Sequence, residues 1–353
     1  MSRGTGSGSR RSNRVTIADV AALAGVSRGA VSQVFNGTGS ISGATAQRIR
    51  DAAAKLNWTP SATAVALRRS RSNTVGLVLS DSTSEVEISG SSSALITGLE
   101  SVLSSHGYGL LLYVFGHSVD EEGATYRRLA HARRVDGVVL TNSRVGDTRF
   151  ELLRSLELPA VLVGTPWTDD PVPHLDAESP GAGIAESVEH LLELGHTRIA
   201  YIGGPEDLVL PRERRAALEQ ALRARRLTPM ATITTRYSAH EAAQRTAELL
   251  DLATPPTAVM YGSDGMAIAG MKVAKSKGFR VPEDLSVVGY DGLSIGQWID
   301  PELTTVQRNG RERGRAAAAA LLRLLGEQLD GEYALSAPRL VVRASTGPAR
   351  SRR

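Results

Sequence analysis

The sequence predicts an all-α helix-turn-helix headpiece followed by a two-lobed α/β body with two doubly wound parallel sheets. Two short helical patterns joined by a tight turn occupy residues 15–37. From Thr74 onward, eight apolar runs typical of buried strands alternate with amphipathic, helix-like segments. The chain has 353 residues, which is too long for one small domain and suits two or three.

The first helix is predicted to begin after Thr16. The Thr16 hydroxyl can accept a backbone N–H one turn on, and Asp19 stands at the capping-box position. Gly25 permits the positive φ that ends a helix. Four apolar residues recur at helical spacing and predict one buried face: Ile17, Val20, Leu23 and Ala24.

The second helix is predicted to begin after Ser27, which caps it. Ala30, Val31 and Val34 form its buried stripe. A short helix with polar residues near its N-terminus is typical of a recognition helix in a major groove, and the alternative is a helical hairpin with a solvated polar face. The residues left facing outward are Arg28, Gly29, Ser32, Gln33 and Asn36.

A third helix is predicted from about Ser42 to Asn57, and Trp58 is expected to pack back onto the bundle. Its core-facing residues are Ile49, Ala52, Ala53 and Leu56. Residues 61–73 form a basic linker that is too short for a stable lone helix in water. It is either a plain tether or a hinge helix that orders on a partner and inserts Leu67 into a minor groove.

Charge separates the chain into two parts. Residues 1–73 carry eleven basic and two acidic side chains, a net of 11 − 2 = +9, and the other 280 residues carry 30 − 35 = −5. A basic head on a mildly acidic body is typical of a protein that contacts the phosphate backbone of nucleic acid with its head. Residues 1–14 are expected to form a disordered basic tail.

Eight strands are expected in the body, and they exceed one open sheet of usual size, so the sequence predicts two lobes with a ligand cleft between them. The runs lie at 75–80, 109–115, 136–141, 159–164, 198–204, 231–235, 257–264 and 285–292, and a last strand begins RLVVR near residue 339.

Enzyme and metal-site readings find little support in the residues. The chain has no cysteine, and no His–carboxylate–nucleophile arrangement or metal-ligand spacing stands out. His196 follows a helix-ending glycine and is expected to cap or pack, and Gly203-Gly204-Pro205 lacks the spaced glycines of a phosphate loop. We therefore expect no cofactor. No apolar run is long enough for a membrane span and no secretory signal is evident, so we expect a soluble cytoplasmic protein.

Several motifs together resemble the LacI/GalR family of transcriptional regulators. They are VTIADVAALAGVSRGAVSQVFNG, LNWTPSATAVALRRSRSNTVGLVLSD, VDGVVL, HLLELGHTRIAYIGGP, VPEDLSVVGYDG and PELTTV, and they span about residues 15–346 in the family's order. The resemblance implies a hinge helix after the headpiece and a body like periplasmic sugar-binding proteins. It also implies a homodimer on a near-palindromic DNA operator, with a small metabolite in the cleft that shifts DNA affinity. No apolar heptad tail follows the last strand, which favours a dimer over a tetramer.

The resemblance also assigns DNA-contacting residues. Arg28, Gly29 and Gln33 occupy base-reading positions, although Gly29 has no side chain to read with, and the family often has Arg in place of Gln33. Leu67 matches the minor-groove wedge of the hinge and Arg68 the basic residue after it, although Val65 stands where Arg is frequent. Positions that contact phosphate or support that contact are Thr16, Ser27, Ser32, Asn36, Ser42 and Thr45.

For the effector, the resemblance points to Arg214, Tyr237, Ser263 and Asp291. Arg214 and Asp291 are expected to face each other across the cleft, with Tyr237 as an aromatic platform and Ser263 at a position usually held by Asn. These groups suit a polyhydroxylated, sugar-like ligand. The chain departs from frequent family residues at 84–87, at Gly164 and at Leu210, so several usual polar groups of the cleft are missing.

Together these observations predict a sequence-specific DNA-binding transcriptional regulator. We expect it to act as a repressor and to be modulated by a small molecule. The alternatives are a solute-binding receptor of a transport system, which the absent signal peptide and basic head oppose, and a two-lobed sugar-processing enzyme. The expected divisions are a tail (1–14), the DNA-binding headpiece (15–60), the linker (61–73), the two-lobed effector-binding and dimerisation body (74–346) and a second tail (347–353).

Overall fold

The structure is a computed structural model of the chain. It describes residues 15–36, 38–59, 71–80, 90–115, 119–167, 172–175 and 181–350. The chain divides into two compact units, residues 1–72 and residues 73–353. Among the described helices, none is both long and apolar enough to cross a membrane.

The described part of the first unit is a bundle of three helices: α1 (Ile17–Ala24), α2 (Arg28–Asn36) and α3 (Gly43–Lys55). The Asp19 carboxylate accepts hydrogen bonds from the backbone N–H (2.7 Å) and the hydroxyl (2.8 Å) of Thr16, which completes the predicted capping box. Gly25 ends α1 with a φ of 66°. Trp58 packs back onto the bundle as predicted, edge-on to the ring of Phe35 at 5.3 Å between centroids.

The predicted buried face of α1 is wrong at Leu23, which is 52% exposed. Ala21 is buried instead, beside Val20 and Ala24. At 100° per residue, the buried residues lie within one arc of the helix, and Leu23 falls roughly 110° from its centre. The apolar spacing therefore placed Val20 and Ala24 correctly in the core but wrongly placed Leu23 there, although Leu23 lies on the exposed side of α1.

The second unit contains the two predicted lobes, each with one sheet. The first sheet is entirely parallel, in the order β2-β1-β3-β4-β5. The second has the order β11-β10-β9-β8-β6-β7 and is parallel except for its antiparallel edge strand β11. The strands are β1 (Thr74–Ser80), β2 (Gly109–Phe115), β3 (Gly137–Leu140), β4 (Ala160–Val163), β5 (His174–Leu175), β6 (Ile199–Gly203), β7 (Ala231–Thr234), β8 (Ala258–Tyr261), β9 (Ser286–Asp291), β10 (Thr304–Gln307) and β11 (Arg339–Val341).

Two of these strands, β5 and β10, were not predicted. Strand β5 has only two residues, and β10 reads Thr-Thr-Val-Gln, with a single aliphatic side chain. Thr304 and Thr305 are nonetheless fully buried, because β10 lies between β9 and β11 and their hydroxyls form hydrogen bonds inside the lobe. Their burial depends on partners far along the chain.

Helices cover both faces of each sheet. The helices are α4 (Gly90–Leu103), α5 (Val119–His131), α6 (Arg149–Ser155), α7 (Ala182–Glu193), α8 (Val209–Ala224), α9 (Ala239–Leu250), α10 (Asp264–Ser276) and α11 (Gly310–Leu324). In the first lobe α4 and α11 pack on one face and α5 and α6 on the other. In the second lobe α9 and α10 pack on one face and α7 and α8 on the other. Each lobe is therefore a three-layer α/β/α sandwich.

Helix α11 follows β10 of the second lobe but packs in the first lobe, against α4. The two helices approach so closely that glycines face each other at the crossing. A Cβ on Gly314 would lie 2.9 Å from the Cα of Gly98 and 2.7 Å from the backbone N of Leu99. Both neighbours are backbone atoms, so the overlap could not be relieved by moving a side chain.

The position of the cleft follows from the strand order that the two sheets share. In each lobe the first strand lies between the second and the third, so the crevice for a ligand lies beyond the carboxyl ends of β1 and β3 and of β6 and β8. On the second lobe this edge is formed by the glycines after β6 and β8, and a Cβ on Gly262 would lie 3.3 Å from the Cα of Gly203. The backbone of the crevice is therefore open to a ligand or to a neighbouring side chain.

The lobes also touch through their chains. The Val145 N–H donates to the Asp207 carbonyl (2.8 Å), and the Val209 N–H donates to the Ser143 carbonyl (2.9 Å). These bonds form a short antiparallel bridge between the loop after β3 and the residues that lead into α8.

Replacing Gly314 with alanine is expected to lower the free energy of unfolding by about 1–3 kcal/mol, since the added methyl group would overlap the backbone of α4. Urea unfolding of the full chain measures this. Gly265→Ala is the matched control, because a Cβ there meets nothing within 4 Å, and it should be neutral or slightly stabilising. Equal stability of the two variants would contradict the close α4–α11 crossing.

Candidate DNA-binding and effector sites

Helix α2 presents the predicted base-reading positions to solvent. The Ala30 N–H donates to the Ser27 hydroxyl (3.1 Å), so Ser27 caps the helix as predicted, and Val31 is fully buried. Arg28, Gly29 and Gln33 are all exposed. The position of Val31 in the core thus fixes which face of α2 is free for a partner.

The positions expected to contact phosphate lie at the ends of helices. Ser42 caps α3, since its hydroxyl accepts from the Thr45 N–H at 3.4 Å and donates to the Thr45 hydroxyl at 3.0 Å. Backbone N–H groups at such N-termini favour phosphate, so capping and phosphate contact are compatible roles for these residues. At α1, the two bonds from Thr16 hold the pKa of the Asp19 carboxyl below its usual range. Ser32 is half-buried.

Three expected DNA contacts fall outside what the structure describes: the hinge residues Leu67 and Arg68, and the side chain of Asn36. They remain predictions from the sequence.

Arg214, the expected effector-binding arginine, lies on α8 and is only 2% exposed. Its guanidinium group stacks on the ring of Tyr290, 3.5 Å from the centroid, and its Nη1 donates to the Gly262 carbonyl at 3.0 Å. Its Nε has no hydrogen-bond partner among the described residues, and the same is true of the buried hydroxyl of Tyr201 nearby. A buried donor on a permanently charged side chain is poised to bind an acceptor.

Asp291 ends β9 at the same edge. Its φ is 126°, a conformation rarely adopted by residues other than glycine. Burial raises the pKa of its carboxyl to about 6, although Arg308 and Arg214 both lower it. The Arg308 Nη1 lies 3.9 Å from Oδ1 of Asp291. The second lobe therefore holds a carboxylate and two guanidinium groups close together.

Tyr237 covers the glycines at this edge. A Cβ on Gly204 would overlap the ring of Tyr237, and a Cβ on Gly262 would lie 3.3 Å from its Cε1. Tyr237 itself has a φ of 61°, and its N–H donates to the Thr235 hydroxyl at 3.2 Å. Burial raises the pKa of its hydroxyl. The ring of Tyr237 thus occupies space that side chains at positions 204 and 262 would fill.

Ser263 caps α10, because its hydroxyl accepts from the Met266 N–H at 3.3 Å. Asp264, the first residue of the helix, does not cap it. Its carboxylate accepts from the Leu293 N–H (2.6 Å) and the Thr305 hydroxyl (2.5 Å), which belong to other elements. Burial raises the pKa of Asp264.

The expectation that Arg214 and Asp291 face each other across the cleft is wrong. Both lie in the second lobe, because α8 and β9 belong to the layers of the same sheet. The sequence also missed Tyr290 and Arg308. Tyr290 precedes Asp291 in the motif, and Arg308 is the second residue after PELTTV. A signal for both residues therefore existed once β9 and β10 were known to be neighbours.

The first lobe contributes fewer described groups to the cleft. Residues 84–87 lie outside the described ranges. Gly164 follows β4 with a φ of 138°, and Leu210 is half-buried on α8. The guanidinium of Arg212 on α8 lies 5.3 Å from the ring centroid of Trp167, a further contact between the lobes.

Two other expectations concern the chemistry of the body. His196 is packed as predicted: its Nδ1 pairs with the Thr257 hydroxyl and its Nε2 with the Gly347 carbonyl, both at 2.9 Å, and burial lowers its pKa. Among the described residues, no group of three or more histidine, aspartate or glutamate side chains could hold a metal ion.

Asp291 should make stability depend on pH. Its pKa is raised from an ordinary value of 3.8 to about 6 on folding. The folded protein keeps a proton that the unfolded chain releases between these values, so Asp291 lowers the free energy of unfolding as pH rises through this range. Asp291→Asn removes the charge, and it is expected to stabilise the protein by on the order of 1–3 kcal/mol above about pH 7.

Urea unfolding of Asp291→Asn and wild type at about pH 4, 5.5 and 7.5 measures this difference. The gain should disappear at the lowest pH. The exposed Asp330→Asn serves as the control. A difference between Asp291→Asn and wild type that is independent of pH would show that the carboxyl of Asp291 is not held in this environment.

Comparison with known proteins agrees with this architecture. A model of the lacI family of bacterial regulatory proteins matches residues 16–61, and one of a periplasmic binding protein-like domain matches residues 188–346. The HTH-type transcriptional regulator CelR of Thermobifida fusca is 33% identical over 345 residues, covering 95% of this chain and 99% of CelR. The transcriptional repressor CytR of Escherichia coli (strain K12) is 31% identical over 347 residues, covering 96% and 98%.

Two solved structures extend the likeness to three dimensions. The lac repressor dimer bound to operator and an anti-inducer has a TM-score of 0.81 at 28% identity, covering 94% of this chain and 99% of that one. The CelR–cellobiose complex has a TM-score of 0.69 at 31% identity, covering 94% and 100%. The predicted fold and family are confirmed. The chain belongs to the lacI family of bacterial regulatory proteins and is a DNA-binding transcriptional regulator.

Proposed function

We propose that this regulator is a cytoplasmic repressor that binds a near-palindromic operator as a homodimer and responds to a sugar-like effector in the cleft of its body. The observation that carries the proposal is the exposed polar face of α2, with Arg28 and Gln33, on a headpiece and linker of net charge +9. Its basic charge supplies affinity for phosphate, and the two side chains supply a means of reading bases.

The two side chains favour different bases. Arginine forms paired hydrogen bonds with guanine O6 and N7, whereas glutamine pairs with adenine N6 and N7. Gly29 offers no side chain between them. We propose that each half-site contains a guanine read by Arg28 and an adenine read by Gln33. Contacts with phosphate are made or supported by six polar residues: Thr16, Ser27, Ser32, Asn36, Ser42 and Thr45.

The dimer is proposed from the assembled state of the lac repressor structure and from an exposed apolar surface. Trp298 is 81% exposed and Ile295 is 49% exposed on the same short helical turn, Ser294–Gln297 and its cap. Two such large apolar side chains in one turn fit a face that a second copy covers. In a dimer, the paired linkers would bring Leu67 and Arg68 to the operator centre.

The effector is proposed from the donor and acceptor set at the second-lobe edge. Arg214 offers a buried donor, Asp291 accepts from hydroxyl groups, and Tyr237 offers an aromatic face for the flat side of a sugar ring. The Ser263 hydroxyl lies at the start of α10 beside them. CelR, a relative that aligns with 95% of this chain, has been solved with cellobiose.

Base reading is tested by Gln33→Ala. The loss of a paired contact should weaken operator binding by about 1–3 kcal/mol and relax preference at one base pair per half-site. Selection of bound DNA from a random library, followed by affinity measurements at fixed salt, gives both quantities. Gln47→Ala is the matched control, since Gln47 is an exposed glutamine on α3 bonded to Asp51. Uniform weakening on all sequences would overturn the base-reading role.

The effector role is tested by Arg214→Lys, which keeps a positive charge but loses the planar guanidinium group. Alanine is less suitable because Arg214 is buried against Tyr290. Operator affinity measured with and without cellobiose, other disaccharides and monosaccharides should respond in wild type and lose at least about tenfold in ligand sensitivity in the variant. Arg215→Lys is the control, since Arg215 is partly exposed on the same helix and pairs with Glu219. An unchanged response would remove Arg214 from the site.

A further inference from the structure

Asp264 joins three separate elements around one buried carboxylate. It is fully buried at the start of α10, and its Oδ1 accepts from the Thr305 hydroxyl of β10 at 2.5 Å. Its Oδ2 accepts from the Leu293 N–H, in the turn after β9, at 2.6 Å. A Cβ on Gly289 of β9 would overlap Oδ1, so the carboxylate lies directly against this strand.

These contacts do not serve α10 itself. The helix is capped by the Ser263 hydroxyl, which accepts from Met266. Both oxygens of Asp264 are occupied by donors that lie 29 and 41 residues away in the chain. The Asp264 carboxylate therefore stabilises the segments that donate to it, and not its own helix.

The segment it binds is the turn 291–293, which has an unusual backbone. Asp291 has a φ of 126° and Gly292 a φ of 73°. A Cβ on Gly292 would lie 2.8 Å from the Cα of Gln307, so the turn is pressed against β10. The Gly292 N–H donates to the Thr305 hydroxyl at 3.3 Å, which links the turn to Asp264 a second time. Such conformations persist only where the surroundings hold them.

The same turn touches the first lobe. A Cβ on Gly90, the first residue of α4, would lie 2.8 Å and 2.9 Å from the two terminal carbons of Leu293. Leu293 is therefore packed against the N-terminus of a first-lobe helix, two residues after Asp291. One turn carries both the candidate effector carboxylate and a contact between the lobes.

We propose that Asp264 is the positioning residue of the effector site: with Thr305 it holds the turn 291–293 so that Asp291 faces the cleft while Leu293 contacts α4. This inference rests on the proposed effector role of Asp291. The carboxylate of Asp264 thereby sets the effector-binding group and an interlobe contact with one pair of hydrogen bonds.

Thr305→Val and Thr305→Ser form the matched pair that tests it. Valine keeps the volume of threonine and removes the hydroxyl that bonds Asp264 and Gly292, whereas serine keeps the hydroxyl. Neither replaces a charged side chain near Asp291, whose charged neighbours are Arg308, Arg214 and Asp264. Because the Thr305 hydroxyl also lowers the pKa of Asp264, a shift in the titration of Asp291 reports a change of position only together with faster amide exchange of the turn.

Two measurements on the full chain follow the turn. In Thr305→Val, hydrogen exchange of the Gly292 and Leu293 amides should accelerate by roughly tenfold or more. Gly292 loses its acceptor, and the Asp264 carboxylate that binds Leu293 loses the hydroxyl that holds it. Carboxyl carbon NMR, with the Asp291 signal assigned from Asp291→Asn, should show the pKa falling from about 6 toward 3.8 as the group becomes solvated. Thr305→Ser should keep both near wild type.

Thr246→Val controls for the loss of any buried hydroxyl in this lobe, since Thr246 is fully buried and bonds the Tyr261 hydroxyl at 2.8 Å. It should leave Asp291 and the turn unchanged. Asp264→Asn is a second variant, and it decides the question alone if Thr305→Val does not fold. The asparagine amide has one acceptor oxygen in place of two, so hydrogen exchange of the Leu293 amide should accelerate. Wild-type exchange at 292–293 and a wild-type Asp291 titration in the folded variants would overturn the proposal.

The proposed effector role fails separately. If Asp291→Asn leaves the response of operator affinity to the sugar panel intact while Thr305→Val still shifts the titration of Asp291, then Asp264 positions the turn and the effector does not use Asp291.

Discussion

The second lobe is organised around a buried guanidinium group. Arg214 is enclosed by the ring of Tyr290 and bonded to the Gly262 carbonyl, in surroundings where an unpaired charge would be costly. Asp291 and the aromatic residues Tyr201 and Tyr237 are close enough to interact electrostatically with Arg214. Tyr237 can approach only because Gly204 and Gly262 lack side chains. The glycines and the aromatic rings thus allow one permanent cation to be enclosed at the carboxyl end of the sheet.

The pKa of Asp291 shows that this arrangement is not optimised for stability. Burial outweighs two neighbouring guanidinium groups, so the ionised carboxylate is disfavoured in the folded protein. A buried group that lowers stability and occupies a strained backbone conformation is typical of residues retained for binding. Burial raises the pKa of Asp264 as well, but both of its oxygens accept hydrogen bonds, and these hold the structure around it.

Periodic patterns predicted most of the fold because they depend on neighbours in the chain. Strands β1 to β4 and β6 to β9 read as apolar runs, and the caps of α1 and α2 follow from Thr16 and Ser27. Strand β10 was missed because Thr304 and Thr305 resemble surface residues until β9 and β11 are placed beside them. Leu23 was assigned to the core because spacing alone does not tell which edge of an apolar arc meets α3.

The motifs name the residues of the candidate site, whereas their arrangement follows only from the structure. Arg214, Tyr237 and Asp291 could be picked out by motif, but their grouping in one lobe depends on the sheet order, which brings β9 beside β8 and β10. Arg308 illustrates the point: it pairs with Asp291 from the neighbouring strand and stands two residues before α11, which packs in the first lobe. The charge of Asp291 therefore lies next to a segment through which the chain crosses between the lobes, a relation that neither motif contains by itself.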